Sequence, residues 1–176
     1  MVAKPARRAL QGVTLIELLV TLSIVAVLLT IGVPPMADLI ARNRMATSVN
    51  GLLAHLQLAR SEAVKRGVRV FVCPSHDGLT CTGGYSWHQG YLVTLDPDDP
   101  DGVLRRSNGT NPAAIQVTTN RLRVTYQPDG TSGGSNLTFR FCDQRAQAAA
   151  SDHRRVIVSN VGRPRTQVPT GTNPCA

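Results

Sequence analysis

The chain has 176 residues, a formal charge of +8 and only 4% aromatic residues. That length carries one domain with its own core and excludes two comfortable ones. The excess of Lys and Arg favours acidic partners, and abundant Gly, Pro, Ser, Thr and Asn argue against a helical bundle.

Residues 1–12 carry Lys4, Arg7 and Arg8 and no acid. Residues 13–33, VTLIELLVTLSIVAVLLTIGV, are almost wholly apolar. At about 1.5 Å per residue a helix of that length reaches roughly 31 Å, the thickness of a bilayer's hydrocarbon core. Glu17 breaks the run, and a carboxylate deep in lipid costs up to about 3 kcal/mol. A secretory leader is cut after its apolar core. Here the one reasonable cut, Gly12, precedes it, so the helix stays on the mature chain and Val13 gains a new ammonium. Glu17 then stands one helical turn from that amine, on the same face.

Gly12 followed by Val13-Thr14-Leu15-Ile16-Glu17 resembles the processing site of type IV pilins and type II secretion pseudopilins. Val13 stands where that family usually has phenylalanine. The resemblance implies that a prepilin peptidase cuts after Gly12 and methylates Val13. It also implies that Glu17 pairs with the N-terminal amine of an adjacent subunit during fibre assembly. The partners expected are other pilins, the peptidase and the inner membrane. Basic residues before the span predict N-terminus in and C-terminal domain out, in the periplasm.

Pro34 and Pro35 predict a kink, after which the helix resumes near Met36. Val49, Leu52, Leu53, Leu56 and Ala63 recur at helical spacing. Lys65 and Arg66 suit the C-terminal end of the dipole, and Gly67 suits the position just past it. From Val68 the period becomes that of strands. Extended pieces are read at 68–74, 87–96, 113–119, 121–130, 136–143 and within 153–168, with a short one at 103–107. The expected fold class is α+β, a type IV pilin-like architecture: a long N-terminal helix packed on an antiparallel β-sheet domain. Its parts are a leader (1–12), a transmembrane helix (13–33), an amphipathic continuation (34–67) and a periplasmic β domain (68–176).

The helix end at Gly67, Cys73-Pro74-Ser75, Asp77-Gly78, Cys81, the Trp87 strand, Phe141-Cys142-Asp143 and the terminal Cys175 together resemble the FimT/GspH family of minor pilins and pseudopilins. Four cysteines behind an export-type N-terminus favour disulfides, expected as Cys73–Cys81 and Cys142–Cys175. Zinc on Cys73 and Cys81 with His76 and His88 is the weaker alternative, because the spacing matches no standard finger. Asp96, Asp98, Asp99 and Asp101 read first as a solvated turn and second as a calcium loop. Ser75, His76 and Asp77 are consecutive, which suits no triad, so neither an enzyme nor a cofactor is expected.

The C-terminal stretch is the most informative about function. Between His153 and Gln167 stand Arg154, Arg155, Arg163 and Arg165 and no acid. In an extended chain Arg163 and Arg165 point to one side, and Pro164 stiffens the pair. Two guanidinium forks on one edge suit successive phosphates of a nucleic acid. Arginines on a terminal strand equally serve to block aggregation. The FimT side of the family carries a G-R-x-R motif here, which Gly162, Arg163 and Arg165 match. That implies non-specific DNA binding for uptake in natural transformation, with Arg154 and Arg155 as weaker contributors. A GspH-like pseudopilin would share the fold and have a structural role only.

Overall fold

The computed structural model describes residues 12–110, 113–134, 136–146, 148–170 and 175, the side chains of 31–35 excepted. The leader expected at 1–12 therefore lies outside the described residues apart from Gly12. The chain divides into two compact units, one ending at Ile40 and the other Ala41–Ala176.

Helix α1 runs Leu15–Arg66, 52 residues, so Pro34 and Pro35 do not end it. Its start follows from local chemistry. The Thr14 hydroxyl accepts the Glu17 amide at 3.3 Å, and Thr14 with Glu17 forms the T-x-x-E spacing of a capping box. From Leu15 to Leu29 the large apolar side chains of the first unit are exposed on all sides. A helix apolar all round belongs in lipid or among other helices. Among the described residues no helix is long and apolar enough to cross a membrane. The span expected at 13–33 ends among residues whose side chains lie outside the description.

In the second unit α1 turns one stripe inward: Met45, Val49, Leu52, Leu56, Ala59 and Ala63, each at most 4% exposed. The helix stops at Gly67, whose φ of 66° is left-handed and whose amide bonds the Ala63 carbonyl at 3.0 Å, a common way to close a last turn.

The stripe packs within a core built from two antiparallel sheets rather than one. Sheet 1 contains β1 (Val70–Pro74), β2 (Tyr91–Thr94), β3 (Val103–Ser107) and β5 (Val124–Tyr126), in the order β3-β2-β1-β5. Sheet 2 contains β4 (Ile115–Thr119), β6 (Leu137–Asp143), β7 (Arg154–Val158) and β8 (Pro164–Gln167), in the order β4-β6-β7-β8. The strand expected at 87–96 begins only at Tyr91. Residues 88–89 form a turn, and the Trp87 amide bonds the Val117 carbonyl of β4 at 2.9 Å. Trp87 thereby joins the sheets. Its ring stands 4.8 Å edge-on from Phe139 of sheet 2 and 5.9 Å from Tyr91 of sheet 1, aromatic geometry that adds to simple burial.

Cys73 is bonded to Cys81 and Cys142 to Cys175, the pairing read from the sequence. The second bridge links β6 to the C-terminal tail.

Candidate nucleic-acid interface

Antiparallel register decides which face each arginine occupies, because alternate residues of a strand point to opposite sides. In sheet 2, Phe139 opposes Val156 and Leu137 opposes Val158, and all four are buried in the core. The intervening residues form the outer face. There Thr138 opposes Ile157, and Arg140 opposes Arg155. On the next strand Ile157 opposes Arg165 and Arg155 opposes Gln167. On the far side Arg140 opposes Thr118. Arg155 and Arg165 therefore share one face, and Arg140 joins them. No acid occupies any of these strand positions.

Arg165 is exposed, whereas Arg140 and Arg155 are half-buried. The Nε of Arg140 is buried without a hydrogen bond among the described residues. Arg154 has the opposite parity. Its guanidinium donates to the carbonyls of Ser151 and of His153, the latter at 2.8 Å, and it lies beside Ala46, Val49 and Asn50 of the helix. The sequence treated Arg154 and Arg155 as a pair, but adjacency in a strand separates them.

Gly162 and Arg163 form the turn between β7 and β8. The Gly162 amide donates to the Ser159 carbonyl at 2.8 Å, and the Arg163 carbonyl accepts the Ser159 amide at 3.2 Å. Gly162 has φ of 77°, and a Cβ there would sit 2.0 Å from the Gly130 carbonyl oxygen. Only glycine fits. Arg60 of the helix locks this close approach, its Nε donating to the Gly130 carbonyl at 2.9 Å and its Nη2 to the Val161 carbonyl at 3.2 Å. Nothing in the sequence singled out Arg60 for this bond, which joins residues 70 positions apart. Arg163 stands just ahead of β8, so strand alternation does not align it with Arg165. It is exposed and borders an open groove of about 650 Å³ lined with Arg60, Ser61, Val64 and Lys65. The motif arginines thus flank the edge strand β8, one beside the helix and one on the outer face.

Arg140 is the residue the sequence reading missed. The signal was present in part: Leu137, Phe139 and Phe141 alternate, which puts Thr138 and Arg140 on the opposite side. Placing Arg140 next to Arg155 needs the β6–β7 register, which no local pattern supplies.

The other sequence candidates resolve into local structure. Ser75 Oγ donates to Asp77 Oδ1 at 2.9 Å and accepts the Gly78 amide at 3.0 Å. The Asp77 carboxylate also takes the Leu79 and Thr80 amides. Those amide bonds, with help from Ser75, hold it well below the usual carboxylate range. The trio is a turn, with Asp77 bonded to hydroxyls and amides. In the acidic loop, Asp96 accepts the Asp98 amide at 3.0 Å and Asp99 accepts the Asp101 amide at 2.9 Å. These carboxylates shape the turn, as such residues commonly do. Among the described residues, the three potential ligand atoms that lie close together belong to Cys142, His153 and Cys175. The two sulfurs are bonded to each other, as are those of Cys73 and Cys81, so neither pair offers a thiolate.

At the tail end of β6, Asp143 is buried and its amide donates to His153 Nδ1 at 3.1 Å. Burial opposes its charge, but hydrogen bonds and charge from Arg145 prevail and lower its pKa. The Nε–carboxylate distances are 3.0 and 3.1 Å.

Residues 48–162 match the family model described as type II transport protein GspH, and residues 7–33 match the prokaryotic N-terminal methylation motif. No curated relative matches the chain. Two crystal structures of the type IV minor pilin FimU from Pseudomonas aeruginosa share the fold. The one in space group P21 is 23% identical with a TM-score of 0.58, covering 72% of this chain and 90% of that one. The one in space group P65 is 21% identical with a TM-score of 0.54, covering 69% and 91%. An α+β fold of the pilin kind, a methylation motif at the head of its helix and a family model spanning most of the domain lead to one conclusion: the chain belongs to the GspH family, as a type IV minor pilin or pseudopilin.

Proposed function

We propose that this chain is a FimT-like minor pilin whose outer domain binds duplex DNA non-specifically for uptake in natural transformation. The observation that carries the reading is the edge strand β8. It has Arg163 on one flank and Arg165 on the other, and Arg165 shares an acid-free face with Arg155. Arginine forks match phosphate geometry, and the strand positions around them hold no aromatic platform for stacking bases. The proposal keeps the processing scheme expected from the sequence. The peptidase cuts after Gly12, Val13 is methylated, Glu17 meets a neighbouring subunit's amine, and residues 13–33 hold the protein in the inner membrane until assembly. The exposed apolar surface of α1 from Leu15 to Leu29 supports that scheme.

The rival reading is a structural pseudopilin of a type II secretion system, favoured by the GspH description of the matching model. A salt titration separates the two. Full-length protein in a non-ionic detergent should bind a short duplex with affinity falling steeply as salt rises. Each phosphate contact contributes a log–log slope of about −0.9. Replacing Arg163 and Arg165 together by Gln should weaken binding and flatten the slope by about two units. Overlaying curves, or no binding by the unaltered protein at low salt, would place the secretion reading ahead.

A further inference from the structure

We propose that the cavity between helix α1 and the two sheets binds a small uncharged phenol, one aromatic ring bearing a hydroxyl. This inference is independent of the DNA-binding reading, because no residue of the arginine surface takes part in it.

The first support is the cavity itself. It has a volume of about 170 Å³, and all the residues around it belong to the second unit. An apolar cavity of about 150 Å³ accepts benzene, so a single ring with a small substituent is the size that fits. Leu52, Trp87, Val117 and Phe141, all buried, form its apolar wall. The rings among them favour an aromatic guest, which gains edge-on and offset contacts beyond simple burial. Among the described residues no Asp, Glu, Lys or Arg lines the cavity. An ion there would lose its hydration without gaining a countercharge, so the guest is uncharged.

The polar wall suits a hydroxyl. His55 Nδ1 is bonded to the Tyr91 hydroxyl at 2.9 Å, and a neutral imidazole with one nitrogen in use keeps the other as donor or acceptor. Burial, with Arg105, lowers the His55 pKa and favours that neutral form. The Thr110 hydroxyl donates to the Ile115 carbonyl at 2.8 Å, which leaves its lone pairs to accept. A phenol hydroxyl donates and accepts at once and so meets both groups.

The second support is Gly51. It lies inside α1, with Thr47 one turn before it and His55 one turn after, and all three line the cavity. Glycine in a helix interior weakens the helix relative to alanine. Close approach of another element would require it, but a Cβ at Gly51 would meet nothing within 4 Å. A longer side chain there would occupy the mouth of the cavity. Thr47, exposed at the rim, marks the way in from solvent.

The test uses full-length protein in an aliphatic non-ionic detergent, with phenol as the probe. Trp87 is the only tryptophan in the chain, so its emission, excited where phenol does not absorb, reports on the cavity directly. Phenol should change that emission saturably, with a midpoint near millimolar, and raise the melting temperature. Benzoate, similar in size but charged, should do neither. Gly51→Leu should abolish the saturable change while melting no lower than the unaltered protein. Gly51→Ala, which fills less space, should weaken binding several-fold and melt higher. NMR of the unaltered protein should show the His55 imidazole signals moving with phenol along the same saturation curve. An emission change that does not saturate overturns the inference. Saturable binding that survives in both Gly51 variants places phenol elsewhere and overturns it too. Benzoate binding as well as phenol overturns the uncharged ligand class, and His55 signals that stay still overturn the site.

Discussion

Two edges of this domain present two arginines each, β3 within the strand and β8 with one in the strand and one just ahead of it, and they make different surfaces. In β3, Arg105 and Arg106 are adjacent, so they face opposite sides of sheet 1, opposite Val93 and Leu92. The turn leading into β3 holds Asp96, Asp98, Asp99 and Asp101. At β8, Arg163 and Arg165 are separated by Pro164, which places Arg165 with Arg155 and Arg140 and leaves Arg163 beside Lys65 and Arg60. Equal charge thus gives two arginines on opposite faces beside an acidic turn in one sheet, and in the other an arginine, Arg165, that shares its face with Arg155 and Arg140. Phase along the strand and the company on neighbouring strands make the site, more than the number of arginines.

The largest way to break the contrast is to remove the geometry that presents β8 while keeping every charge. Gly162→Val forces a side chain into a left-handed turn and against the Gly130 carbonyl. It should destabilise the domain by about 2–4 kcal/mol and weaken DNA binding with all four C-terminal arginines intact. Thermal melts beside binding curves would show it, and a fully stable variant would mean that the turn is looser than described. The next effect is a null set against the double variant at β8. Replacing Arg105 and Arg106 by Gln removes the same formal charge, yet the salt slope should change by well under one unit. A loss equal to that of the Arg163/Arg165 variant would show that net charge alone governs binding.

The smallest effect concerns what Arg105 does instead. His55 bonds the Tyr91 hydroxyl at 2.9 Å. Its pKa is lowered, first by burial and then by Arg105. Burial likewise pushes the Tyr91 phenol up to about 12. A depressed histidine favours the fold above its unfolded pKa, and that contribution is lost as pH falls through the folded value. Arg105→Gln should therefore raise the His55 pKa slightly, leave it below the ordinary histidine value and soften acid destabilisation. An NMR titration of the imidazole would detect the change. A downward shift would contradict the charge contact.

Much of this architecture was legible in the sequence because it is local. The stripe Val49, Leu52, Leu56, Ala63 announces itself by period, as does the alternation of Leu137, Phe139 and Phe141. The helix end at Gly67 is written in a single residue. The division into two sheets was not legible. It depends on Trp87 leaving its expected strand to bond β4, a tertiary choice invisible in propensity. The same non-locality hid Arg140, whose meaning arises only when β6 and β7 are in register. Alternation, read for Arg163 and Arg165 alone, fails there because Arg163 lies in the turn ahead of β8, and it separates Arg154 from Arg155 within β7.

The bridge between Cys142 and Cys175 has a consequence beyond holding a tail. It closes the chain from β6 onward into a covalent ring that contains β7, the Gly162 turn and β8 whole. A protease that nicks any one bond within that ring releases nothing, because both new ends remain tied through the sulfurs. The arginine-bearing hairpin can be cut and still be retained. Outside the cytoplasm, where the disulfide persists and proteases are common, surface wear at this turn would shorten the life of the fold less than its exposed position suggests.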